Sequence, residues 1–217
     1  MTHFPEAATP ARGGFVLLDP VTGRPVRTLA FQFNPDTLTR TLQPQGAGEE
    51  PGDRLEVLRL KGPPHETLRF EAEFDATEQL ADPTRHPREA GNGLGPALAA
   101  LELSLYPSVA ALTSEDQLAD RGMIEIAPLE SALLVLVLGS KRVLPVRLTE
   151  LSITEEAFDS ALDPIRAKLS IGVRVLTVHD VGFGHKAGQL YLQYHRQKDR
   201  WAALITDSAA SLGVASI

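Results

Sequence analysis

Gly91-Asn92-Gly93-Leu94-Gly95 stands directly before a helical pattern. Flexible glycines at a helix N-terminus attract anions such as phosphate. A phosphate loop also needs a strand before it and a lysine followed by Ser or Thr after the last glycine. Here Gly95 is followed by Pro96 and Ala97 and no strand precedes the run, so it reads as a flexible turn. Gly182-Phe183-Gly184-His185-Lys186-Ala187-Gly188 has the same weakness and reads as a hinge between a strand and a following helix. His179, Asp180 and His185 are potential metal ligands, yet they lack the i, i+4 spacing of a helical zinc pair. Solvated histidines describe them better. Ser140 has neither a nucleophile elbow around it nor a companion base. Glu155 and Glu156 are adjacent, so their side chains diverge and read as an acidic turn rather than paired acids.

One charged pattern survives. Arg166, Lys168 and Arg174 share the parity of one strand face and form a basic stripe on an acidic chain. They read either as a plain solvent face or as a surface complementary to an acidic partner subunit, where charge sets register and specificity. No catalytic, cofactor-binding or metal-ligating residue emerges, and the expectation is a protein that is not an enzyme and needs no cofactor.

Composition agrees with that expectation. The 217 residues are 43% hydrophobic and 23% charged, with a net charge of −7. A core of ordinary size can be buried, and the acidic balance argues against nonspecific nucleic-acid binding. With no cysteine, disulfides, thiolate zinc sites and cysteine nucleophiles are impossible. The first residues lack the basic start and apolar run of a secretory signal, and the longest apolar run, 132–138, is too short to span a bilayer. The expectation is cytoplasmic assembly without membrane insertion.

The elements that would position these residues are mainly strands. Residues 1–13 read as a flexible arm, 14–182 as a β domain and 183–217 as a helical extension. Phe15-Val16-Leu17-Leu18, the turn cluster Asp19-Pro20-Val21-Thr22-Gly23 and residues 25–33 predict a hairpin, which Asn34-Pro35-Asp36 ends. Residues 43–53 read as an exposed loop, 55–60 as a short strand and 75–93 as a long loop or insertion. Between the last two, Leu68, Phe70, Ala72 and Phe74 alternate with charged residues, as on a strand with one buried face.

A helix is predicted over 96–106, opened by Pro96 and ended by Pro107, and a brief helical turn at Ser114-Glu115-Asp116-Gln117. Residues 133–138 predict a strand buried on both faces, and 143–153 another. Residues 165–175 alternate over a length that must pair throughout or reach a neighbouring subunit. Leu190, Tyr194, Trp201 and Ile205 fall on one stripe of a final helix. The sum is a mainly β, α+β chain: a β-barrel or sandwich with a central and a C-terminal helix.

The order of these segments resembles a known family. Phe31-Gln32-Phe33-Asn34-Pro35 with Arg40 is similar to the opening signature of the contractile injection system tube proteins. The resemblance continues through Gly62-Pro63-Pro64, Glu73-Phe74-Asp75, the helix from Pro96 to Tyr106-Pro107, and 145–159 with Phe158. It ends through Leu162-Asp163-Pro164-Ile165 and the final helix with Tyr191 and Tyr194, covering about residues 15–205 in order. Phe33, Asn34, Pro35, Arg40, Phe158 and Pro164 are its signature positions, each with a structural sense: Asn34-Pro35 ends a strand, Phe158 anchors two strands, Pro164 opens the long strand.

The resemblance implies a tail-tube-like β domain assembling as a ring, expected to be a hexamer, between spike hub and inner tube, with tube, hub and baseplate subunits as partners. No LysM-like segment follows the helix, and Leu138 stands where relatives carry an aromatic residue before glycine. An alternative from another class is a module of such a particle that binds cell wall or carbohydrate.

Overall fold

A computed structural model describes residues 12–19, 22–46, 58–107, 109–121 and 132–213. Most of the expected N-terminal arm, most of the loop at 43–53 and the first half of the strand expected at 55–60 lie outside the described residues. Of that strand, Leu60 makes a single bridge to Gly46.

The chain forms β1 (Gly14–Leu18), β2 (Pro25–Ala30), β3 (Leu38–Gln43), β4 (His65–Asp75), β5 (Leu133–Val137), β6 (Val143–Phe158) and β7 (Pro164–Val175). They build one antiparallel sheet in the order β2-β1-β5-β6-β7-β4-β3. The expected β1–β2 hairpin is present. Asp19 accepts from the Thr22 backbone N–H at 2.6 Å and its hydroxyl at 2.8 Å, and Gly23 takes φ +66°, which suits glycine.

The sheet is not closed, but it curls strongly. Phe15 of β1 and Phe70 of β4 are separated in the sheet by β5, β6 and β7, which on a flat sheet is about 19 Å. Their rings stack with centroids 6.3 Å apart, and Phe31, just beyond β2, packs against both at 5.4 and 5.7 Å. Burying three aromatics against each other drives the two halves of the inner face together. Leu68, Phe70, Ala72 and Phe74 face this core with Leu169, Ile171 and Val173 of β7 and Leu144 and Val146 of β6.

The helices correct several expectations. Residues 75–93 are not one loop, for they contain the helical turns α1 (Thr77–Leu80) and α2 (Pro87–Asn92). The central helix α3 (Gly95–Glu102) stops short of Tyr106, and Leu98 and Leu101 fill the core beneath it. The brief turn at Ser114 belongs to a full helix, α4 (Val109–Asp120). After α5 (Val178–Val181), α6 (Lys186–Ala202) ends the packed chain. Ile205 lies beyond α6 and is 71% exposed, so the expected stripe does not extend to it. Within α6, Tyr194 of that stripe is buried, with Tyr191 buried beside it, while Leu190 and Trp201 are half-buried.

The hinge at Gly182 joins two helices, not a strand and a helix. Ala187 packs with Leu18, Leu133 and Val135, and Leu190 lies against that cluster, so α6 covers the second face of β5 and explains its unbroken apolar run. None of the described helices is long and apolar enough to cross a membrane.

β7 pairs with β6 from Pro164 to Val175 and with β4 from Arg166 to Arg174. Its edges are therefore occupied, and an inter-subunit strand pairing through 165–175 is ruled out. Glu155 and Glu156, expected in a turn, lie within β6, which runs to Phe158 because β7 gives it a partner that far.

Candidate functional site

The one deeply buried carboxylate among the described residues is Glu66, at 3% exposure. On β4, Glu66 has the parity of Leu68 and Phe70, so the strand turns it to the core side. Cross-strand pairing sets Arg40 of β3 opposite Leu68, one diagonal step from Glu66. From α6, Tyr194 and Lys198 stand four residues apart on one face and reach the same point.

Lys198 Nζ donates to Glu66 Oε2 at 2.7 Å, and the Tyr194 hydroxyl donates to Oε1 at 3.1 Å. Arg40 Nη1 donates to the Tyr194 oxygen at 3.2 Å, while Arg40 Nε stands 3.9 Å from Oε1. Lys198 also sits 4.2 Å above the Tyr194 ring centroid. A buried carboxylate requires such partners, since isolation would cost several kcal/mol. Burial, and then the Glu66 charge, push the neighbouring Tyr191 hydroxyl above its ordinary pKa. Both Glu66 oxygens are taken by α6 side chains, so the cluster ties β3, β4 and α6 together.

Arg40 is thus the one signature residue in this cluster. Asn34 Oδ1 accepts the Gly13 backbone N–H at 2.8 Å and, with Pro35, lines a shallow cavity of about 290 Å³. Phe33 is exposed, and the buried aromatic of that segment is Phe31. Phe158 is 48% exposed at the end of β6, so it does not anchor two strands as expected. The reason is its place opposite Pro164, where the hairpin has left the curled core. Pro164 serves through its carbonyl, which accepts the Leu94 N–H at 2.7 Å.

The three cations of the basic stripe each have an intramolecular carboxylate. Arg166 meets Asp75 at 3.0 Å, Lys168 meets Glu156 at 2.9 Å, and Arg174 pairs with Asp180. The Glu156 hydrogen bond raises the Lys168 pKa. Hydrogen bonds from Thr77, with Arg166 as a lesser cause, hold Asp75 below the usual carboxylate range. The stripe is therefore largely neutralised by its own fold.

The candidate chemistry at 91–95 and 179–188 is likewise put to structural use. Gly93 takes φ +52° where the chain passes Pro164, so close that a Cβ would lie 2.4 Å from the Pro164 oxygen. Asp180 accepts from the Thr177 N–H at 2.8 Å and its hydroxyl at 2.9 Å in a capping box for α5. His185 Nδ1 accepts the Ala187 N–H at 3.1 Å and caps α6. Among the described residues no three His, Asp or Glu side chains are placed to hold a metal ion.

Sequence reasoning missed Glu66, Tyr194 and Lys198 as a unit. A signal existed: Glu66 shares the parity of Leu68, Phe70, Ala72 and Phe74, a charge in register with a buried face. Compared with known proteins, the chain matches no family model and no curated protein at a significant level.

Proposed function

We propose that this chain is a non-enzymatic structural subunit of a bacterial phage-tail-like contractile injection system, forming a ring that joins the spike and baseplate hub to the inner tube. The resemblance of its segments to the tube proteins of such particles motivates the reading. The observation that carries it is the edge of β6. That strand pairs with β5 only through Val143–Val146, whereas β7 accompanies it to Phe158.

Among the described residues, 147–158 thus has a strand on one side only, an edge of about 40 Å at ~3.3 Å per residue. Long unpaired edges invite pairing with another chain. Repeating one such heterologous contact through a closing rotation makes a ring. The register shifts between Leu148 and Glu150 and between Glu155 and Ala157 restrict which strand fits. Exposed Phe158 and Leu162 give the projecting hairpin an apolar tip.

Purified particles carrying a photo-crosslinking residue at Ser152 test this. The expected result is a ladder of crosslinked copies, with the subunit seen by electron microscopy as a ring between hub and tube. A chain that purifies apart from any tail-like particle and crosslinks only within itself would sink the proposal.

A further inference from the structure

A groove of about 710 Å³ lies where the curled sheet fails to close. One wall is the edge strand β2 at Arg27, Thr28 and Ala30, and the other is Ala97 of α3 with Leu94 and Leu103, the residues that flank it. Phe74 and Ala76 contribute to its lining between them. The polarity of the β2 wall follows from its register. Phe31 N–H donates to Gly13 at 2.8 Å, and Gly14 stands opposite Ala30, so Phe31, Leu29 and Arg27 form the set bonded to β1. By antiparallel alternation the N–H and C=O groups of Thr28 and Ala30 point away from β1. No strand takes them among the described residues.

Gln32 also lines the groove. Its side-chain amide bonds both the N–H and the C=O of Asp75, as a neighbouring strand would. The walls therefore combine an open hydrogen-bonding edge with an apolar helix face, the arrangement that suits strand addition.

Charge selects the occupant. Arg12, Arg27 and Arg88 line this groove on a chain whose net charge is −7. Arg88 is held by Glu89, the one acidic residue in the lining, whereas Arg12 and Arg27 have no carboxylate partner among the described residues. We infer that the β2–α3 groove binds an extended acidic segment of a partner protein, which adds as a strand to β2 and sets its carboxylates against Arg12 and Arg27. This site is separate from the β6 edge and does not rest on the ring reading.

The test uses the full chain and fluorescence anisotropy with a labelled Thr-Glu-Val-Glu-Thr-Glu-Val peptide and its lysine counterpart. The acidic peptide should bind and the lysine peptide should not. Arg12→Gln with Arg27→Gln, both at exposed side chains, should weaken binding several-fold and flatten its salt dependence. Thr28→Pro removes one outward N–H without touching a β1 bond and should abolish binding, while Thr28→Val should preserve it.

If Thr28→Pro fails to fold by circular dichroism, the arginine pair and the lysine peptide decide. No binding of the acidic peptide at millimolar concentration would overturn the inference. So would equal binding of the two peptides, or binding indifferent to Thr28→Pro. Should sedimentation show Thr28→Pro converting an oligomer to monomer, the occupant is a second copy and the acidic-partner assignment fails.

Discussion

Lys198 Nζ lies 2.7 Å from the buried carboxylate of Glu66, 132 positions earlier in the chain, and this contact ties the last helix to the sheet. Removing one partner of a buried ion pair strands the other charge. Lys198→Met should therefore cost about 3 kcal/mol, softened by the nearby Arg40. Glu66→Gln should cost less, about 1 kcal/mol, because the freed ammonium can reach water. Combining Glu66→Gln with Lys198→Met should cost less than the sum of the two singles. Urea midpoints of the wild type and the three variants measure this, and strict additivity would mean the pair does not interact.

Backbone proximity at Gly93 gives a second test. A methyl there would meet the Pro164 oxygen at 2.4 Å and force a residue with a Cβ to φ +52°. Gly93→Ala should destabilise by more than about 1 kcal/mol. Gly91 lies inside α2 with nothing within 4 Å of its added Cβ. Gly91→Ala should then be neutral or stabilise by about 0.5 kcal/mol. Thermal melts of the two variants side by side check the contrast.

Acid should act through Asp180. Burial pushes its carboxyl up, but hydrogen bonds from Thr177 and Arg174 outweigh that and leave its pKa below 3.8. A depressed carboxyl contributes stability in full above the unfolded value and loses it as pH falls through the folded one. Between about pH 5 and pH 3 the wild-type urea midpoint should fall more steeply than that of Asp180→Asn. Parallel slopes would contradict the assignment.

Arg166 and Lys168 are half exposed and already paired with Asp75 and Glu156. Surface pairs of this kind contribute about 0–1 kcal/mol. Replacing both by Gln should change stability by no more than about 1 kcal/mol and leave any ring assembly and its salt dependence intact. Charge reversal at Glu150 and Glu155 on β6 should instead impair assembly. Gel filtration and negative-stain images of the assembled particle distinguish the two results, and assembly that fails only in the Arg166–Lys168 variant would restore the stripe as an interface.

Much of the β framework was legible because period-two alternation is a local property. Phe70, Ala72 and Phe74 alternate with charges, and Ala167, Leu169 and Ile171 do the same, so β4 and β7 declared themselves. β3 did not, since its residues are mostly exposed and no apolar face marks it. The run at Leu133–Val137 announced burial on both faces, but not that α6 supplies the second cover.

By itself the chain's composition and pattern determined a mainly β protein without thiol chemistry, with helices at the centre and the C-terminus. Only the tertiary structure decided that the sheet curls until Phe15 reaches Phe70, and that β7 is interior while β6, among the described residues, has a strand on one side only beyond Val146. It alone joined Arg40, Glu66, Tyr194 and Lys198. The reason is range: alternation and turn chemistry act between near neighbours, whereas strand order and the partner of a buried charge depend on contacts between residues far apart in the chain, which no local pattern encodes.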